Sequence, residues 1–415
     1  MLYDLILINI FHLNVMIMYE YKISVILVTS NASRSIAGLI NSITLQDFKD
    51  FELIVIDDAS QDDTLNIVRE NLKGSSINYR IYLNKESKGL EASRNYAIGI
   101  SKGRYLVFVE DDGMLYFYHL SRLWGPLNPD RNSESFKKTR IDLSALDGEL
   151  DFEKLDDEFD LNSKENSISP DDVDSVFIKG LTLDSKDEFI GFDSYDFDPI
   201  LNLARRNNHN VNSLSLINLI SLHELPFSIN YMIYDREILD RHDIRFREDY
   251  SCFSDLDFAV RYLLYCNRIR FINTYTYYEY IDMETRTFQD VLNPLYHLDE
   301  LDGIASYLEG LSSKNADFGV ISNQFETRHI PKLVFDRINS LIDYNYPKEE
   351  IIKIMKSLGL DSRLLKFKPM NRSDYKLKVQ LDLIVRNFSL YHSMRKRFKR
   401  DNTKTNKEYL DLLKI

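Results

Sequence analysis

The 415-residue chain is 44% hydrophobic, 28% charged and 12% aromatic, a globular composition with room for two or three domains of roughly 100–200 residues each. Its 14 glycines form no G-x-G-x-x-G and no G-x-x-x-x-G-K-[ST], and its two cysteines, Cys252 and Cys266, are too few for a disulfide framework or a thiolate metal site. The formal charge of −13 argues against general nucleic-acid binding, and the whole excess sits between residues 130 and 199, where 21 acidic residues face 8 basic ones.

Residues 1–20 read as an N-terminal tail. Leu5–Met18 is apolar but short, is interrupted by Asn9, His12 and Asn14, and lacks a basic flank, so it is a weak secretory signal. A start at Met18 is an equal alternative. No run reaches the ~18–20 apolar residues that a membrane span needs. With few cysteines and no span, the expected compartment is the cytoplasm.

From Tyr21 to Trp124 the chain alternates strands and helices. Ile23–Thr29 is a continuous apolar run fit for a strand buried on both faces. Ser33–Leu45 has helical spacing, Phe51–Ile56 is a second strand, and Asp62 or Asp63 caps a helix over Thr64–Leu72. Tyr79–Leu83, Leu90–Ser101 and Arg104–Val109 continue the alternation. Repeated βαβ units predict an α/β fold with a mostly parallel sheet, whose ligands bind beyond the carboxyl ends of the strands. Those ends are Thr29-Ser30-Asn31, Asp57-Asp58, Asn84 and Glu110-Asp111-Asp112, all polar.

Residues 125–199 lose that rhythm and read as an acidic insertion with short apolar pieces such as Val173–Ile178. In the segment 200–287, Tyr231–Tyr234, a helix over Asp235–Arg241, a helix opening at Ser254-Asp255 and an aromatic strand over Phe271–Tyr280 restore order. Residues 288–415 are helical in spacing. Within them 366–400 carries 11 basic and 2 acidic residues, a patch suited to an anionic membrane surface, an anionic polymer, or simply solvent.

Two carboxylates one residue apart at a sheet edge make a hard-oxygen site. Glu110 and Asp112 could hold Mg²⁺ or Mn²⁺ with substrate phosphates completing the shell. Asp57 and Asp58 can accept hydrogen bonds from a nucleobase or ribose, while Lys88 and Arg94 could meet phosphate oxygens.

Residues 22–113 resemble the nucleotide-binding half of family 2 glycosyltransferases with the GT-A fold. The likeness runs through Ile23–Asn31, Phe51–Ser60, Asp63-Thr64, Gly89-Leu90-Glu91-Ala92-Ser93-Arg94-Asn95 and Gly103–Asp112. A second block, residues 229–261, is similar to the acceptor half, with Tyr234–Leu239, Ile244-Arg245-Phe246 and Asp255 where the family places its catalytic base. The resemblance implies inverting transfer of a sugar from a nucleotide diphospho-sugar to a hydroxyl. It would put Thr29, Asn31, Asp57, Asp58, Asn84, Lys88, Arg94 and Asp111 around the donor, a metal on Glu110 and Asp112, and the acceptor's proton on Asp255. The helical C-terminal region is similar in layout to wall teichoic acid and capsule glycosyltransferases.

Four departures stand out. Glu110 replaces the usual Asp, Ser254 replaces the acid before the base, Glu279-Tyr280 stand where Arg or His is common (Arg286 could substitute), and Val28 replaces a proline. Those at Ser254 and Glu279 motivate a second expectation, a catalytically weakened nucleotide-sugar or glycan binder. Nucleotidyl transfer is disfavoured by the missing basic glycine-rich loop.

Overall fold

The computed structural model describes residues 19–128, 173–184, 210–223, 227–281 and 288–397, with isolated positions at 200, 204 and 225. Most of the expected tail, most of the acidic segment and Arg286 lie outside them. The first half is β1 (Tyr21–Thr29), α1 (Ile36–Thr44), β2 (Phe51–Asp57), α2 (Thr64–Leu72), β3 (Asn78–Leu83), α3 (Leu90–Ile100), β4 (Gly103–Val109), β5 (Gly113–Leu115) and α4 (His119–Trp124). Next come β6 (Ser175–Asp184), β7 (Asn210–Val211), α5 (Ser213–Ser221), β8 (Met232–Asp235), α6 (Arg236–Arg241), α7 (Ser254–Leu263) and β9 (Ile269–Ile281). The helical region holds α8 (Phe288–Tyr296), α9 (Leu298–Gly310), α10 (Ala316–Gln324), α11 (Ile330–Asp343), α12 (Lys348–Ser357), α13 (Leu360–Leu365), α14 (Arg372–Arg386) and α15 (388–397). A short π-helical turn, Phe325–His329, joins α10 to α11.

One mixed sheet orders the strands β3-β2-β1-β4-β8-β6-β9-β5, with β7 beside β9. The first four are mutually parallel, in register through Ile26 with Ile54 and Phe108. β1 from Ile23 onward and all of β2 are buried, as their unbroken apolar runs require. This register aligns Thr29 with Asp57 and sets the loops after all four strands on one edge. Backbone bonds from Asp58 N to Thr29 O and from Asn84 N to Asp57 O, both 2.9 Å, carry the ladder into those loops.

The segment expected as an insertion supplies part of the core. β6 lies inside the sheet, antiparallel to β8 and parallel to β9, with Val176, Phe177 and Ile178 fully buried. Local composition hid it because acidic stretches flank a strand whose partners lie more than 50 residues ahead in the chain.

Two histidines are sealed in this frame. His119 on α4 sets Nδ1 3.0 Å from the Thr276 hydroxyl of β9, and burial lowers its pKa to about 3. His329 sets Nδ1 2.7 Å from the Ile220 carbonyl, and burial together with neighbouring His223 lowers it to about 3 as well. Below the ordinary value of 6.5 the unfolded chain binds protons that the folded chain refuses, so stability present above pH 6.5 is lost as pH falls. Each histidine should withdraw roughly 1.4 kcal/mol per pH unit between about pH 6.5 and about pH 3. Thermal unfolding should show a midpoint that drops from pH 7 to pH 5, less steeply in His119→Asn. A level wild-type midpoint over that range would contradict the assignment.

Candidate active site

The site is built from the strand-end loops on one side and α7 on the other. Thr29 closes β1 and donates its hydroxyl to Asp111 Oδ2 at 2.8 Å. Asn31 and Ala59, each just past a strand end, hold φ of 56° and 63°, a left-handed conformation that Asn tolerates and Ala rarely adopts. Asn31 is braced there by its N–H to Ser60 Oγ and by its side-chain oxygen, which accepts from Gln61 N at 2.8 Å. Asp57 is buried and accepts the Ser60 hydroxyl at 2.5 Å.

Asp58 behaves differently from the sequence expectation of an acceptor open to a ligand. Its Oδ1 receives Asn84 Nδ2 at 2.6 Å, Lys88 N at 2.9 Å and Ser93 Oγ at 3.3 Å, while Oδ2 receives Ser87 Oγ at 2.6 Å and Gly89 N at 3.0 Å. Although burial opposes the charge, these donors hold its pKa below the ordinary value. Asp58 is therefore the organiser of the loop that leads into α3. Gly89 enters that helix at φ 89°, which only glycine adopts freely. The Lys88 side chain is exposed beside it.

Helix α3 faces the second half of the site with Glu91, Arg94 and Asn95 at i, i+3 and i+4 spacing. Arg94 is only 3% exposed and lies over the Phe246 ring, 5.1 Å from its centre. Its Nη1 is 2.5 Å from Asp255 Oδ1 and its Nη2 is 3.3 Å from Glu110 Oε1, so one guanidinium joins the expected base to the expected metal corner. Burial works against the Arg94 charge, but Asp255, Glu110 and Glu91 outweigh it and raise its pKa. The expectation that Arg94 faces phosphate is thus replaced, in this state, by an ion pair between carboxylates.

Glu110, Asp111 and Asp112 form the turn after β4. Glu110 N donates to the Tyr277 hydroxyl at 3.1 Å, and a Cβ on Gly113 would collide with that same hydroxyl, so β5 and β9 can close on the turn only with glycine there. Burial raises the pKa of Asp111 against the opposing Thr29 bond, and burial plus the Asp111 charge raises Asp112 to about 6. Among the described residues no cluster of three or more His, Cys, Asp or Glu side chains forms a closed metal cage. Glu110 and Asp112 are instead a hard-oxygen pair beside a crowded negative charge. That donor set suits magnesium or manganese with substrate phosphates supplying the remaining ligands.

Several residues that sequence reasoning passed over hold this arrangement. Ser254 donates to Glu91 Oε1 at 2.9 Å, so a carboxylate stands beside the residue preceding Asp255, contributed by α3 rather than by α7. Glu300, buried on α9, accepts the N–H groups of Ser251, Cys252 and Phe253 at 2.9, 3.0 and 2.7 Å and so fixes the turn that starts α7. Asp257, also buried, holds Arg247 and Arg261 at 3.3 and 2.6 Å. Asn95 pairs in both directions with the Phe246 backbone at 2.8 and 2.9 Å. Spacing along α3 was the one available signal for Glu91; nothing local marked Glu300. Tyr277 and Tyr278 of the aromatic strand β9 are buried core residues. Asp58→Ala should strip five donors of their acceptor and lower stability by roughly 2–4 kcal/mol in urea denaturation, with faster amide exchange at Lys88 and Gly89. An unchanged midpoint and unchanged exchange would show that Asp58 does not organise this loop.

Residues 24–135 match the family model described as glycosyl transferase family 2. A glucosyltransferase of Campylobacter jejuni acting on GalNAc(5)-diNAcBac-PP-undecaprenol is 37% identical over 108 residues, 26% of this chain and 35% of that protein. The Escherichia coli enzyme WfaP, a UDP-Glc:alpha-D-GlcNAc-diphosphoundecaprenol beta-1,3-glucosyltransferase, is 36% identical over 90 residues, 22% of this chain and 35% of that protein. TarS of Staphylococcus aureus, a poly(ribitol-phosphate) beta-N-acetylglucosaminyltransferase, is 39% identical over 98 residues, 22% of this chain and 16% of that protein. The chain thus matches about a third or less of the length of these relatives. A crystal structure of S. aureus TarS shares the fold, with a TM-score of 0.51 at 20% identity over 90% of this chain and 55% of that one. The likeness to family 2 glycosyltransferases thus covers residues 24–135 of this chain, and the described residues share the α/β fold of the TarS structure.

Proposed function

We propose that the protein is an inverting glycosyltransferase that moves a sugar from a nucleotide diphospho-sugar, a UDP-sugar in the first instance, to a hydroxyl of a cell-surface glycan, teichoic-type polymer or lipid-linked precursor. The reaction belongs in the cytoplasm, where nucleotide-sugars are made. The family 2 domain supports the reaction class, and the relatives' undecaprenol-linked and poly(ribitol-phosphate) substrates support the acceptor class. The observation that carries the reading is one buried guanidinium, Arg94, that holds both Glu110, 16 residues on, and Asp255, 161 residues on.

In this reading Thr29, Asn31, Asp57 and Asp111 line the nucleoside end of the donor. Asp58 and Asn84 act through the loop they hold, and Lys88 meets phosphate from that loop. Glu110 and Asp112 hold Mn²⁺ or Mg²⁺, which when bound offsets the diphosphate charge and stabilises it as a leaving group. Arg94 turns part of its charge from Asp255 toward the diphosphate. The freed Asp255 carboxylate takes the acceptor's proton as its oxygen bonds to the anomeric carbon. The bond from that carbon to the diphosphate oxygen breaks, and the diphosphate departs with the electron pair. Glu91 and Ser254 keep the Asp255 backbone and side chain in register with α3.

Nucleoside diphosphate release from a panel of UDP-sugars, with Mn²⁺ and an acceptor extract, tests the proposal. Turnover should require the metal. Asp255→Asn should lose roughly 10²–10⁴-fold in kcat, the usual share of a general base. Asp112→Asn should lose at least about a hundredfold, with the deficit growing as metal is lowered. Full activity in Asp255→Asn would contradict the base assignment. Tight UDP-sugar binding with no release in the wild type would favour the second reading, a nucleotide-sugar or glycan binder, for which the hold of Arg94 on Asp255 is the supporting observation.

A further inference from the structure

From the outer face of the last two helices, we propose that the protein docks on an anionic lipid bilayer surface through α14 and α15. The argument is independent of the glycosyl-transfer reading. α14 buries Leu381 and Ile384 against the helical region and is anchored at its start by a capping box between Asn371 and Asp374. Asp374 in turn holds the buried Arg328 at 2.7 Å. The helix is therefore fixed, and its opposite face is presented to solvent by the fold rather than by fraying.

That outer face is not the polar one an ordinary surface helix shows. Arg372 with Tyr375 and Lys376, these two with Val379, and Val379 with Arg386 are three, four or seven residues apart and so share one side. Tyr375 is 63% exposed and Val379 67%, while Arg372, Lys376 and Arg386 are exposed around them. On α15 Leu390, 48% exposed, is followed by exposed Met394 and Arg397 at the same spacing. The only acids of residues 366–397 are Asp374, which is buried, and Asp382, which lies 3.1 Å from Lys378. Of the nine basic residues of that stretch, Lys366, Lys378 and Arg395 pair with Glu326, Asp382 and Asp343, while Lys368, Arg372, Lys376, Arg386 and Arg397 are exposed.

Apolar side chains interleaved with lysine and arginine on one helical face match the boundary between headgroups and acyl chains. There the apolar groups enter the hydrocarbon edge and the cations meet lipid phosphates, with about 1 kcal/mol from each cation near an anionic surface. A second copy of the chain is a poor occupant, because a symmetric contact would set the same cations against each other. An anionic polymer would satisfy the charges but leave Tyr375, Val379 and Leu390 in water.

The test is co-sedimentation of the full chain with vesicles of phosphatidylcholine alone and with vesicles made of equal parts phosphatidylcholine and phosphatidylglycerol. Binding is expected only to the anionic vesicles, decreasing as salt rises. Lys376→Glu with Arg386→Glu should weaken it by at least about tenfold, given about 1 kcal/mol per cation. Tyr375→Ser with Val379→Ser should weaken it at high salt, where the charge contribution is screened. All four positions are solvent-exposed, so melting midpoints should match the wild type. Three results would overturn the proposal: no binding to anionic vesicles, equal binding to both vesicle types, or unchanged binding by the charge-reversed variant. Loss of self-association in the variants without any vesicle binding would likewise overturn it, assigning the face to a second copy.

Discussion

A cation with three carboxylates around it and almost no access to water organises the centre of this protein. Arg94 could not be buried alone, since an unpaired guanidinium inside a protein is prohibitively unfavourable. Its burial therefore obliges Asp255 and Glu110 to sit within its reach, with Glu91 contributing to the same field. The consequence is geometric. The carboxyl end of the parallel strands and the start of α7 cannot drift apart without exposing or orphaning that charge.

The surrounding structure is arranged to defend this contact. On the donor side, Asp58 gathers the loop that launches α3, so the helix bearing Glu91, Arg94 and Asn95 starts from a fixed point. On the acceptor side, Glu300 gathers three backbone N–H groups just before α7 and Asp257 locks that helix to two arginines. Glu300 belongs to the helical region, so that region is a structural support for the site as well as an appendage. Both devices use a buried carboxylate to hold backbone or guanidinium donors, which satisfies the charge and rigidifies the segment at once.

The centre of the parallel half was legible in the sequence because β1 and β2 are buried on both faces and read as unbroken apolar runs, Ile23–Thr29 and Phe51–Ile56, with polar ends directly after them. β3, which has no buried residue, was legible from its place in the alternation of strands and helices. β6 was obscured because acidic neighbours swamp its apolar stretch and its partners come from β8 and β9. Asp255 was singled out through a family resemblance, but its pairing with Arg94 was not, because no local pattern links positions 161 residues apart. Ser254 read as a missing acid; in space Glu91 fills that place, a substitution across helices that one-dimensional comparison cannot see. The five donors around Asp58 were not legible in the sequence, because counting them requires the loop's backbone, not its composition.

The contact between Arg94 and Asp255 can be measured directly by a double-mutant cycle. Unfolding free energies of the wild type, Arg94→Met, Asp255→Asn and the combined variant give the coupling between the two side chains. The account requires a coupling of about 1–3 kcal/mol, as expected for charged groups in contact within one network. Effects that simply add, to within about 0.5 kcal/mol, would mean that the two groups do not meet in solution and that no buried guanidinium draws Asp255 toward Glu110.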